Sequence, residues 1–93
     1  MKAVISNPQT KNGVTSIVVS FRGVRDVDGA NLKLHAVAGD LSKTLKGQGL
    51  FAALSVGIVN NDQVAVIADL HDGASIEYAR LLLKAIFDPK VLL

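Results

Sequence analysis

Few of the 93 residues have the type and spacing that chemistry requires. Asp69, His71 and Asp72 are metal-capable, and on an extended strand Asp69 and His71 would point the same way. No third ligand lies near them in the sequence, so they read as a polar strand end leading into a helix. Lys46-Gly47-Gln48-Gly49 has the glycines that let backbone N–H groups approach a phosphate. A phosphate loop, however, follows a strand, opens a helix and ends in Gly-Lys-Ser/Thr. Here the glycines precede an apolar run, and the segment reads as a flexible connection. Serine, histidine and aspartate are all present, but no Gly-x-Ser-x-Gly elbow raises a serine nucleophile. Zero cysteines remove a thiol nucleophile, a disulfide framework and a cysteine-ligated zinc site. The expectation is a protein with no catalytic residue, no metal and no cofactor.

The polar residues that do form a pattern are spread along two alternating segments. Ser16, Ser20 and Arg22 share one side of a β-branched run, and Asn31, Lys33 and His35 share one side of the next alternating stretch. If both segments are strands of one sheet, Arg22 and Lys33 offer cations to phosphates, with His35 beside them as a further RNA contact. Ser20 and Asn31 then offer hydroxyl and amide groups to ribose and bases. The same residues fit an ordinary solvated sheet face as well. Aromatic residues make up only 4% of the chain, too few for the stacking platform of a single-strand binder. A net charge of +2, from ten cations against eight carboxylates, permits an RNA partner without demanding one.

The elements that must position these residues follow from hydrophobic periodicity. Asn12-Gly13 is a hairpin-turn dipeptide, and the strand it introduces is Val14 to Arg22, with Ile17, Val19 and Phe21 on its apolar side. Ala3 to Ser6 is expected to pair with it. Asp26-Val27-Asp28-Gly29 reads as a turn, and Leu32, Leu34 and Ala36 alternate as a second strand. A helix from Ala30 to Lys46 competes, since Leu34, Val37, Ala38, Leu41 and Leu45 follow helical spacing. Gly39-Asp40 in its middle weighs against it, because an interior glycine costs about 1 kcal/mol relative to alanine.

Leu50 to Val59 and Gln63 to Leu70, separated by Asn60-Asn61-Asp62, form the strongest hairpin signal. Ser75 then caps a helix from Ile76 to Phe87, which Asp88-Pro89 stops. Its polar stripe is narrow, so the helix is expected to be covered on two sides, one of them by another chain. The expected oligomer interface comprises Tyr78, Leu81, Leu82, Leu83 and Ile86 on that helix, with Val91 and Leu92 of the apolar end.

Together these elements make one domain over residues 1–93, of α+β class, with an antiparallel sheet of four or five strands. One main C-terminal helix and an intertwined dimer complete the expectation. With 49% hydrophobic residues and no staple, stability must come from packing that includes partner chains. Ala3-Val4-Ile5 is too short for the core of a secretory signal. The longest apolar stretch, Leu50 to Val59, is about half of the ~20 residues a membrane-spanning helix needs. A cytoplasmic protein with no membrane contact is expected.

The C-terminal third resembles the coat proteins of single-stranded RNA bacteriophages. Gln63 to Leu70, His71 to Ser75, Ile76 to Phe87 and Asp88 to Leu93 look like that family's last strand, polar turn, long helix and short closing segment. Leu83-Lys84-Ala85-Ile86-Phe87-Asp88-Pro89-Lys90-Val91-Leu92 is the closest piece. The resemblance implies an intertwined dimer with helices over the partner's sheet, a capsid shell built of dimers, and RNA on the inward sheet face of the virion. The chain is shorter than typical members, and its N-terminal hairpin is compressed or missing. Arg22, Lys33 and His35 come from the strand geometry above and not from the resemblance. A small cytoplasmic homo-oligomeric interaction module without nucleic acid is the alternative.

Overall fold

The structure, a computed structural model, describes residues 2–47 and 52–71 together with Ala79, Leu83, Lys84, Ile86 and Phe87. Among these residues five strands and one long helix follow one another as β1 (Lys2–Ile5), β2 (Gln9–Lys11), β3 (Val14–Arg22), α1 (Val27–Gly47), β4 (Ala52–Asn60) and β5 (Gln63–Leu70). All pairings are antiparallel, in the order β1-β3-β5-β4, with β2 sharing the outer side of β3 with β1. The α+β class with an antiparallel sheet is as expected. Since β3 and β4 both run antiparallel to β5, they are parallel to each other, and β3-α1-β4 is a split β-α-β unit with β5 inserted.

The N-terminal strands behave as one strand with a break. Ile5 pairs with Val19 and Gln9 with Ser16, so Ser6, Asn7 and Pro8 face only Ile17 and Val18. Pro8 has no N–H to give the ladder. Ser6 repairs it: its N–H donates to the Val18 carbonyl at 2.9 Å, and its Oγ accepts the Val18 N–H at 2.8 Å. Asn12 (φ 53°) and Gly13 (φ 78°) then form the two-residue turn into β3, both in the left-handed region that such hairpins require.

The second alternating segment is not a strand. Residues Val27–Gly47 form α1, and Ala30, Leu34, Ala38, Leu41 and Leu45 are its buried stripe. The residues read as a turn begin it: Asp26 is the cap, accepting the Gly29 N–H on Oδ1 at 3.0 Å. Helical burial wins because three leucines are removed from water, each worth about 1.5–3 kcal/mol, against about 1 kcal/mol for Gly39. Leu32, the residue that made the alternation look clean, is 70% exposed.

The core lies on one side of the sheet. Ile17, Val19 and Phe21 of β3 and Val64, Val66 and Leu70 of β5 meet the α1 stripe together with Ala79 and Ile86. Ala79, Leu83, Lys84 and Ile86 are helical, and Phe87 stacks at a tilt on Phe21 with ring centroids 6.1 Å apart. Most of the expected C-terminal helix lies outside the described residues.

Candidate interaction surface on the open sheet face

Alternation in the strands sends every second side chain away from the helices, and the registers align these into rows. One row runs Lys2, Arg22, Gln63, and the next Val4, Ser20, Ala65, Gly57. Then follow Val18, Ile67, Ser55, and finally Gln9, Ser16, Asp69, Ala53. The face thus has a cationic row, two apolar or small rows, and a row holding a carboxylate. No described helix covers it. Ile67, although on the central strand β5, is 42% exposed, and Val4 is 37% exposed.

Its polar groups are only partly spent internally. Ser16 Oγ donates to Asp69 Oδ1 at 2.6 Å, which fixes the carboxylate across the β3–β5 pair. Lys2 and Arg22 stand directly opposite one another on β1 and β3, a like-charge pairing that is unfavourable until an anion is placed beside it.

The expected RNA constellation is divided by this architecture. Ser20 and Arg22 lie on the open face with Ser16, as expected. Asn31, Lys33 and His35 lie on α1, on the other side of the sheet, so the six do not gather on one surface. Lys33 and His35 are exposed to solvent. Asn31 is half-buried, and its Oδ1 is buried without a hydrogen-bond partner. Lys2, which sequence reasoning left out, joins Arg22 instead. The signal for it was the pairing of Ala3 to Ser6 with the first long strand.

Among the expected interface residues, Ile86 is 1% exposed and Leu83 packs against the core, so this flank of the C-terminal segment is occupied within the chain itself. Tyr78, Leu81, Leu82, Val91 and Leu92 lie outside the described residues. Lys46 and Gly47 close α1, whereas a phosphate loop would open a helix. Among the described residues no group of three His, Cys, Asp or Glu side chains converges on one point. None of the described helices is long and apolar enough to cross a membrane.

The fold is thus an α+β sheet with helical cover on one face and a mixed apolar and polar open face. No family model, curated protein or solved structure matches the chain.

Proposed function

We propose that this protein is a self-associating structural protein whose copies join through the open sheet face. The observation that carries the reading is the exposure of Ile67 on the central strand, flanked by Val18 and with Val4 in the next row. Fully burying such side chains is worth about 1.5–3 kcal/mol each, enough for a few of them to offset much of the entropy of association. A coat protein closing a shell around RNA is the more specific form of this function. It draws support from the C-terminal pattern and from the Lys2–Arg22 pair, which offers two adjacent cations to a phosphate. The interaction module without nucleic acid draws support from the placement of Lys33 and His35 away from that pair.

Native mass by light scattering, with absorbance at 260 and 280 nm across the same peak, tests the reading. Assemblies larger than a dimer are expected. Strong absorbance at 260 nm that fades at high salt favours the RNA-enclosing form, and an RNA-free assembly favours the module. A monomer at all accessible concentrations overturns self-association.

A further inference from the structure

The two edges of the sheet are built by opposite rules. Natural sheets blunt their edges with charge, proline, bulges and short strands, because an open edge pairs with any strand that reaches it. The β1–β2 edge has all four devices: Lys2 and Lys11, Pro8, the break at Ser6 to Pro8, and strands of four and three residues. At the other edge, β4 runs nine residues, Ala-Ala-Leu-Ser-Val-Gly-Ile-Val-Asn, without a charge or a proline. Its single irregularity falls between Ile58 and Asn60, at the end of the strand. Among the described residues no strand pairs with its outer side.

We infer that β4 pairs antiparallel with β4 of a second copy, extending the sheet across a two-fold axis. The inference rests on the self-association proposed above and adds a second contact to the open face, at the sheet edge. A second copy is selected over another partner because the strand is complementary to itself. It is uncharged, so no like charges meet across the axis. Leu54, Val56 and Ile58, which share the helix-covered face, meet the same set from the other chain.

The helices favour the same arrangement. α1 leaves the sheet beside the Asn60 end of β4, where the Val24 N–H donates to the Asp62 carbonyl at 2.9 Å, and it returns to the Ala52 end. Antiparallel β4 strands therefore bring the first turn of one α1, with Asp28, toward the last turn of the other, with Lys46. Side-chain charges and helix dipoles are then complementary at both ends of the seam.

Backbone amide exchange on the full chain, resolved by residue and measured across a concentration series, tests the pairing. Ile67→Lys serves alongside the native chain, because it disables the open face and leaves β4 untouched. The expected result is a dimer of Ile67→Lys in which alternate amides between Ala52 and Ile58 exchange about tenfold or more slowly than in dilute, monomeric protein. Assembly of the native chain with the outward-facing β4 amides unprotected overturns the edge contact and leaves the face contact standing. A native chain that stays monomeric overturns both. Protection of the outward-facing β4 amides, those not bonded to β5, within a monomer also overturns the inference, since the edge is then covered by its own chain.

Discussion

Val66 and Ile67 are consecutive on β5, and they face different worlds. Val66 is 1% exposed, between the central strands and the helices, and Ile67 is 42% exposed on the other face. The same division runs along β3, where Ile17, Val19 and Phe21 are buried and Ser16, Val18 and Ser20 are not. A single strand thus carries both the residues that make the fold and those available to a partner, separated only by parity. The covered face is almost wholly aliphatic, whereas the open face mixes apolar, small and charged rows, a composition suited to a contact that forms after folding.

The sharpest way to break this comparison is to place the same charge on each side of it. Val66→Asp buries an unpaired carboxylate, and the expected loss of more than about 3 kcal/mol should leave no cooperative unfolding transition in a domain this small. Ile67→Asp should change stability by less than about 1 kcal/mol in urea while reducing the native mass. Next in size is Leu34→Ala, which opens a cavity under the sheet and should cost about 2–5 kcal/mol by urea denaturation. The smallest effect runs the other way. A Cβ on Gly39 would meet nothing within 4 Å, so Gly39→Ala should stabilise by up to about 1 kcal/mol, raising the thermal midpoint. A Gly39→Ala variant of lower stability would mean that the glycine serves a contact not made among the described residues.

Those substitutions bear on what the sequence made legible. β3, the β4–β5 hairpin and the Asn12-Gly13 turn were readable because each depends on local pattern and turn chemistry. The segment from Asn31 to His35 was misread because leucines at 32 and 34 satisfy alternation while those at 34, 41 and 45 satisfy a helix. The choice between them is made by tertiary burial that the segment does not encode by itself. The expected constellation divides with it: Arg22 and Ser20 share the open face, whereas Lys33 and His35 lie on α1 with their segment. Lys2 was missed because its position opposite Arg22 depends on a pairing register that short edge strands specify weakly.

The central pairing has a consequence for how the chain acquires its structure. β3 bonds to β5 from Arg22↔Gln63 to Thr15↔Leu70, so the middle of the sheet joins segments from opposite parts of the sequence. During synthesis the N-terminal meander and α1 emerge before β4 and β5, so the stripe of Leu34, Leu41 and Leu45 has only β3 to meet until Val64, Val66 and Leu70 follow. Completing the core requires closure of that long loop, whose entropy slows folding relative to a fold of local contacts alone. Before that closure the β4–β5 hairpin can form from local contacts alone, with its uncharged outer strand already open to pairing.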